Sequence, residues 1–387
     1  YLRGEYLLSR PQPTSAEVHF RFVLRGYYDG VFDLTDRYPP NVEADEESEV
    51  SLREAVLAVR MGQWDLRIGR QQVVWGEAVG LFFADVVNPK DWREFLLRDF
   101  DDIRIPLWGV NALYDAGRDR VLEIFWSPEV RFSRRPVAGA EFAFFVPPPP
   151  AGVNVVFVPV AKPPRRLSNS NLGVRYSWLQ NGWDAAVFYH RALDDLPAIS
   201  KNQRSAGSQP ASRQDGGASV NVSLLHPRVH RLGVTVSKPL GSGVWRSEAV
   251  FTWGKLFEAA TPTPALKRSM LTAMIGARYP VSSYTFDLQL FQTAILGDAQ
   301  PLREPKTRTG FSLRFADDAS LRRVKPVVLL VMSLNERDLW LSPKVDVRLS
   351  DDTTLTLGVD WFHGHRDTLF GQFHDARRAQ VKVTRRF

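Results

Sequence analysis

Basic side chains recur at alternate positions along much of the chain, and arginine supplies most of them. The 387 residues contain 50 Lys and Arg, of which only ten are Lys, and there is no cysteine. A guanidinium group stays charged and can hold a carboxylate or phosphate through two parallel hydrogen bonds. Because these groups are spread singly rather than clustered, they predict a lining that attracts anions. They do not predict the basic patch of a nucleic-acid-binding module.

The elements that position these arginines are β-strands. The stretch VHFRFVLRGYY, residues 18–28, places apolar side chains on one face and His19, Arg21 and Arg25 on the other. This period of two belongs to a strand with one apolar and one polar face. About sixteen such strands can be counted, and eighteen is the alternative if residues 1–15 pair and another strand is hidden. No stretch approaches the roughly 18 apolar residues that a membrane helix needs.

Loop lengths distinguish a membrane barrel from a soluble β-sandwich. Tight connections such as residues 181–182 alternate along the chain with long ones such as 73–106. Outer-membrane barrels have short turns at one end and long loops at the other, whereas a sandwich has no reason to sort its loops in this way. The pattern therefore predicts an all-β chain that forms a transmembrane antiparallel β-barrel. We expect it in the bacterial outer membrane as a mature form, with the signal peptide absent from this chain.

The whole chain, 1–387, is predicted to form one barrel domain. Residues 1–15 are either a periplasmic lead-in or an extra strand, and 129–169 and 192–228 are long extracellular loops. The polar strand faces then line the interior. Fifteen cations and eight carboxylates fall on these faces, which indicates a net cationic lumen. The alternative is that opposite charges pair across neighbouring strands and stiffen the wall. The lumen-lining candidates are Arg21, Arg25, Arg67, Arg175, Arg231, Arg246, Arg278, Arg314, Lys344 and Arg348.

The connection 73–106 is predicted to carry a helix and to fold inward as a constriction loop. Asn88 is a good N-cap, Pro89 suits the first helical position, and Asp91 favours the positive helix end. An apolar stripe follows, and Pro106 ends the excursion. Acidic residues of the loop would meet the luminal arginines, although a cap over the extracellular mouth is the alternative. The candidate residues are Trp75, Glu77, Asn88, Asp91, Arg93, Asp99, Asp101 and Asp102.

A motif at the start of this connection resembles a known group of proteins. The residues that carry it are Gly69, Arg70, Gln71, Trp75, Gly76, Glu77, Asn88 and Pro89. The segment is similar to one in the DUF1302 barrels and their relatives in the alginate-export group. The resemblance implies an outer-membrane channel for the export or passage of a metabolite or polymer, and it assigns no ligand contact to any arginine.

The leading functional prediction is a monomeric outer-membrane channel that passes an anionic or amphipathic solute or polymer, most simply by export. The alternative is a structural sheath or docking barrel around a periplasmic electron carrier or efflux component. An enzyme is not expected, because there is no GxSxG motif and a polar turn accounts for the HGHRD stretch at 363–367. We expect no cofactor and no metal site. The expected partners are outer-membrane lipid, lipopolysaccharide and a periplasmic or inner-membrane transport protein, but not nucleic acid.

Overall fold

A computed structural model describes residues 2–11, 16–148, 153–158, 163–164, 166–204, 218–298, 301–319 and 323–385. Strands dominate the described chain. They are β1 Leu2–Pro11, β2 Ala16–Tyr28, β3 Ser48–Met61, β4 Trp64–Gln71, β5 Leu107–Asp115, β6 Arg120–Ser127, β7 Val153–Phe157, β8 Asn171–Gln180, β9 Trp183–Leu193 and β10 Ala198–Arg204. They continue as β11 Ala218–Leu225, β12 Arg228–Leu240, β13 Gly243–Phe257, β14 Leu266–Val281, β15 Tyr284–Leu296, β16 Thr307–Asp317, β17 Val324–Ser333, β18 Asp338–Arg348, β19 Thr353–His363 and β20 Arg378–Arg385.

Helices are short and lie in the connections between strands. They are α1 Val31–Leu34, α2 Pro40–Glu46 and α3 Phe100–Ile103, together with the 3₁₀ turns Leu167–Asn169 and Gly371–Phe373. No helix in the described part of the chain is long and apolar enough to span a bilayer.

Seventeen strands form one large antiparallel sheet in chain order. Each pairs with the next once β7, β10 and β11 are set aside, so that β6 pairs with β8 and β9 with β12. Residues 2–11, for which the sequence allowed a lead-in or an extra strand, form β1 and pair with β2. This strand accounts for the difference from the expected sixteen. Among the described residues, no register joins β1 to β20.

The three remaining strands form a small separate sheet in the long connections. In it β10 pairs with β11 in antiparallel register and β7 pairs with β11 in parallel register. The predicted loops 129–169 and 192–228 thus contain regular structure of their own.

The connections are sorted by length between the two ends of the large sheet, as the sequence predicts. At one end the turns are tight, and Asn181 and Gly182 between β8 and β9 have φ of 52° and 77°. Positive φ at both residues is the two-residue hairpin geometry that Asn-Gly favours. At the other end lie the long connections, including residues 73–106.

The two faces of the sheet have opposite character. Apolar side chains are exposed on one face, and polar side chains are buried on the other. The exposed set includes Leu57, Ile68, Ile124, Leu232, Leu271, Leu290 and Val359. The buried set includes Arg25, Glu123, Glu248, Asp287, Gln289, Ser312 and Asp360. A soluble sandwich has the reverse arrangement, whereas a membrane barrel has this one.

Candidate functional site

Residues 73–106, called the inner segment below, pack against the polar inner face of the sheet. One apolar cluster joins Val73, Trp75, Ala84 and Val87 of the segment to side chains of the wall. The wall contributes Leu107, Phe125, Phe188 and Val250, from β5, β6, β9 and β13. The segment is therefore held along the continuous part of the sheet that runs from β5 to β13.

Trp75 occupies a space that a glycine of the wall leaves open. A Cβ atom on Gly173 of β8 would lie 2.5 Å from the Trp75 ring, so a larger residue could not stand there without displacing it. The indole ring also lies 5.1 Å from the ring of Phe188, centroid to centroid. The predicted constriction residue Trp75 is thus an anchor of the segment to the wall.

Two polar side chains of the wall bind the backbone of residues 77–84. Glu248 on β13 accepts hydrogen bonds from the N–H groups of Glu77 and Ala84, the latter at 2.8 Å. Gln289 on β15 accepts from the Val79 N–H at 2.9 Å and donates to its carbonyl at 2.6 Å. A backbone without regular structure must find its hydrogen bonds elsewhere when it is buried, and here the wall supplies them.

The Glu77 side chain is partly buried between the segment and the wall. Arg246, one of the predicted lining residues, donates to the Glu77 carbonyl at 3.0 Å. Burial raises the pKa of the Glu77 carboxyl, with a further contribution from the charge of Asp184, against the opposing charge of Arg246. Arg246 therefore holds the segment instead of facing an open lumen.

The predicted helix at Asn88 does not form, and only the single turn α3 is helical in this segment. Asn88 accepts from the Val73 N–H at 2.8 Å and donates to the Ile105 carbonyl at 2.9 Å. It thus ties together the two ends of the segment instead of capping a helix. Phe95 has a φ of 52°, which is incompatible with a right-handed helix. Tertiary contacts override the local helical pattern here.

The apolar residues expected on one helix face form instead the centre of an aromatic cluster. Phe95 lies 4.7 Å from Phe373, 6.0 Å from Phe370 and 6.2 Å from Phe362, measured between ring centroids. Trp340 of β18 stacks on Phe362 of β19 in the same cluster. The middle of the segment is thus packed against β18, β19 and the connection that precedes β20.

Asp91 and Arg93 form a buried ion-pair network at the long-loop end. Arg93 is fully buried and contacts Asp91 at 2.7 Å and Glu49 of β3 at 2.6 Å. Burial alone would raise the pKa of Asp91, but the hydrogen bond from Arg93 and the charges of Arg98 and Arg93 outweigh it and lower the pKa to about 2. The same network raises the pKa of Arg93 despite its burial. Both groups stay charged, and they fasten the segment to the wall.

Of the acidic residues predicted to meet luminal arginines, Asp102 does so most directly. It forms an ion pair with the buried Arg25 of β2 at 3.3 Å. Asp101 pairs within the segment, with Arg104 at 3.0 Å, and the exposed Asp99 pairs with Lys382 of β20 at 3.4 Å. The three carboxylates at this end of the segment therefore pair with three different cations. Of these, only Arg25 is a predicted lining residue.

Most of the other predicted lining cations have carboxylate partners, which lie on a neighbouring strand, on the same strand for Arg67, or just after the end of β9 for Arg231. The pairs are Arg21–Glu54 at 3.1 Å, Arg67–Asp65 at 2.9 Å, Arg175–Glu123 at 4.0 Å, Arg231–Asp194 at 3.2 Å, Arg278–Asp287 at 2.7 Å and Arg314–Asp287 at 3.4 Å. Lys344 and Arg348 are partly buried on β18. The interior thus contains the cross-strand pairing that the sequence offered as its alternative, together with the predicted cations.

A buried charged group that the sequence did not single out lies within the segment itself. Arg104 contacts Asp85 at 2.5 Å, and the buried Lys90 contacts the same carboxylate at 3.8 Å. Burial lowers the pKa of Lys90. The sequence signal that could have identified this group is the position of Asp85 and Lys90 among apolar residues in the stretch FFADVVNPK, residues 82–90. Among the described residues, no group of three or more His, Asp or Glu is arranged to hold a metal ion.

Two recesses lie at the inner face of the sheet. One, of about 300 Å³, is lined by three arginines and two carboxylates, namely Arg21, Arg60, Arg67, Glu54 and Asp65, among others. The other, of about 680 Å³, combines aromatic rings with four arginines and four carboxylates. The rings include Trp92, Phe95 and Phe144, and the charged residues are Arg135, Arg303, Arg308, Arg366, Glu258, Glu304, Glu336 and Asp367. The first is near the tight turns, and the second is among the long connections.

A family model described as "Protein of unknown function (DUF1302)" matches residues 7–298, about three quarters of the chain. The chain belongs to the DUF1302 family. The resemblance carried by the motif at 69–89 is thereby confirmed. No protein with curated annotation shows significant similarity to this DUF1302 chain.

Solved structures with the same fold include an outer membrane protein of Pseudomonas aeruginosa. OpdK of Pseudomonas aeruginosa, crystallised with vanillate, is 8% identical at a TM-score of 0.50, with 98% of this chain and 91% of that chain covered. OccAB1 of Acinetobacter baumannii is 9% identical at a TM-score of 0.51, with 100% and 95% covered. The predicted fold class, a transmembrane antiparallel β-barrel, is confirmed.

Proposed function

We propose that this DUF1302 chain is an outer-membrane channel whose bore is narrowed by the inner segment and which passes a small anionic or amphipathic solute. The observation that carries the proposal is the attachment of one 34-residue connection to nearly every part of the inner wall. Long connections without regular structure of their own are uncommon unless they have a function. A connection that only capped the mouth would have no need of Glu248, Gln289, Gly173 and Arg25 far apart around the wall.

The choice of a small solute over a polymer rests on the space that remains. Pockets of about 300–1,000 Å³ suit small molecules, and the two recesses, of about 300 and 680 Å³, fall in this range. A polymer would need a continuous wide bore where the inner segment now packs. Aromatic rings beside charged side chains of both signs in the larger recess suit a solute with an apolar body and a charged group.

The preference for anions rests on the smaller recess. Arg21, Arg60 and Arg67 there outnumber Glu54 and Asp65. A confined surface with excess positive charge concentrates anions and raises their rate of entry. Ion pairs within the wall reduce the surplus of positive charge that the sequence predicts. In the smaller recess they do not remove it, because three arginines face two carboxylates.

A sheath around a periplasmic partner is the less favoured function, because the chain's own inner segment takes the space in which such a partner would sit. Export, the monomeric state and a periplasmic or inner-membrane transport partner remain predictions from the sequence.

The test is the zero-current potential of the refolded protein in a planar bilayer under a salt gradient. We expect a measurable conductance with anion preference, and Arg67→Glu should weaken that preference. Lys238→Gln is the matched control, because Lys238 lies on the outer face over the Trp183 ring, 4.4 Å from its centroid. Deleting 78–104 should raise the conductance. A folded barrel that conducts no ions, with or without the deletion, would overturn the channel proposal.

A further inference from the structure

Two arginines on the outer face of the barrel converge on one backbone carbonyl. Arg191 of β9 and Arg228 of β12 both donate to the Ser168 oxygen, at 2.9 and 2.6 Å, and Arg228 also donates to Asn169 Oδ1 at 2.9 Å. Because both bonds end on the same oxygen, the distance between the two Nη2 atoms cannot exceed the sum of the two bond lengths. Within the described residues, neither forms an ion pair with a carboxylate.

The strand pattern places both arginines toward the membrane at the long-loop end. On β9 the alternate residues Phe188 and His190 are buried in the interior, so Arg191 faces outward. On β12 Arg228 shares the outer face with Leu232, which is 53% exposed. In the register of β9 and β12, Arg191 lies opposite His230, two residues from Arg228.

Three aromatic rings, those of Tyr189, His230 and Trp253, lie next to these cations. The His230 ring stacks on Trp253 with centroids 5.2 Å apart and planes at 10°, and the Tyr189 hydroxyl bonds to His230 Nδ1 at 2.7 Å. A third cation, the exposed Lys267 of β14, shares the outer face with Leu271 and lies opposite Leu256 of β13, three residues from Trp253.

Below these aromatic rings the outer face becomes apolar. Val187, Leu232, Phe251 and Leu271 of β9, β12, β13 and β14 are all exposed there. The outer face thus changes, from the rim downward, from cations to aromatic rings to aliphatic side chains. An amphiphile with an anionic headgroup, sugar rings and acyl chains has the same order of chemistry, and paired guanidinium groups are suited to its phosphate.

We propose that Arg191, Arg228 and Lys267, called the outer cation cluster, bind a phosphate of lipopolysaccharide in the outer leaflet. A glucosamine ring of the lipid then lies against His230 and Trp253, and its acyl chains follow the apolar belt. The Ser168 carbonyl holds the two guanidinium groups together without neutralising them, which is why the cluster keeps its affinity for an anion. This site is on the membrane face and is independent of what passes through the bore.

The test compares lipid retention between two variants by native mass spectrometry. The purified barrel is incubated in detergent with lipid A that carries both phosphates, and separately with the same lipid after dephosphorylation. The variants are the double substitution Arg191→Gln and Arg228→Gln, and the control Lys238→Gln on the outer face at the opposite end of β12. Heat-modifiable migration on gels shows whether each variant is folded.

We expect wild type and Lys238→Gln to retain phosphorylated lipid A, and the folded double variant to bind it about tenfold more weakly or worse. Dephosphorylated lipid should bind the wild type as weakly as phosphorylated lipid binds the double variant. Equal binding by the folded double variant would overturn the proposal. So would displacement of the lipid by inorganic phosphate at an equal concentration, because the site would then recognise free phosphate and not the lipid.

Discussion

Arg25 of β2 and Asp102 of the inner segment form an ion pair 3.3 Å long in the barrel interior, where the Arg25 side chain is 1% exposed. Arg25 also approaches Glu49 of β3 at 3.7 Å. One arginine of the wall thus joins two neighbouring strands to the acidic end of the segment. The alternating pattern predicted that Arg25 lines the lumen. In the structure Arg25 also holds the inner segment through Asp102.

Arg25→Ala should destabilise the barrel and loosen the inner segment. Removal of one member of a buried pair leaves the other charge poorly compensated, at a cost of about 3 kcal/mol. Thermal denaturation and bilayer conductance measure the two effects, with a lower midpoint and a higher conductance expected. Arg60→Ala is the control, because Arg60 is 62% exposed and its pairs at 3.8 Å should contribute little. Equal losses in the two variants would contradict this role of Arg25.

Glu248→Gln should release residues 77–84 from the wall. The carboxylate accepts from the N–H groups of Glu77 and Ala84, and an amide offers only one oxygen for the two donors. We expect larger fluctuations of the open-channel current and faster hydrogen exchange at residues 77–84. Glu123→Gln is the matched control, since this buried carboxylate of β6 bonds Asn111 of the wall. An unchanged exchange rate in Glu248→Gln would show that the segment does not depend on this contact.

Gly173→Ala should displace Trp75 and lower the midpoint of thermal unfolding. The added Cβ would lie 2.5 Å from the indole ring, and overpacking of this kind costs about 1–3 kcal/mol. Tryptophan fluorescence should report the altered setting of the ring. Gly26→Ala on β2 is the comparison, because its Cβ would meet no atom closer than 3.9 Å. If both variants unfold at the wild-type temperature, Trp75 is not tightly packed against β8.

The long-loop end should lose stability as the pH rises toward 7. Burial raises the pKa of Glu46 at the end of α2 from 4.5 to about 7, against the opposing charge of Arg93. The folded state therefore holds this proton more tightly than the unfolded chain does, and stability falls between pH 4.5 and 7 as the proton is lost. The protection factors for hydrogen exchange at residues 40–46, which compare the measured rate with the intrinsic rate at the same pH, should be smaller at pH 8 than at pH 6.

Glu46→Gln should abolish this difference in protection factor, because the amide cannot ionise. Asp91, with its pKa at about 2, remains charged over the same range and does not contribute to the difference. A pH dependence that persists in the variant would have to arise from another group.

Local patterns along the chain are sufficient to predict the class of fold and the orientation of its faces. A period of two puts every second side chain on the same face, so local alternation is enough to identify strands, lining residues and an apolar outer belt. The order of short and long connections follows from chain order as well, since antiparallel neighbours return to alternate ends. For these reasons Arg25, Arg231 and Asp287 could be assigned to the inner face before any coordinates were known.

The tertiary structure alone decided how residues 73–106 fold and which wall residues hold them. The helical pattern after Asn88 is a local preference worth little per residue, and it is overridden by bonds from Asn88 to Val73 and Ile105 and by the aromatic cluster around Phe95. Glu248, Gln289 and Gly173 are more than 80 residues from the backbone or ring that they contact. Such partners meet only when the wall curves around the segment, and no periodicity along the chain records that curvature.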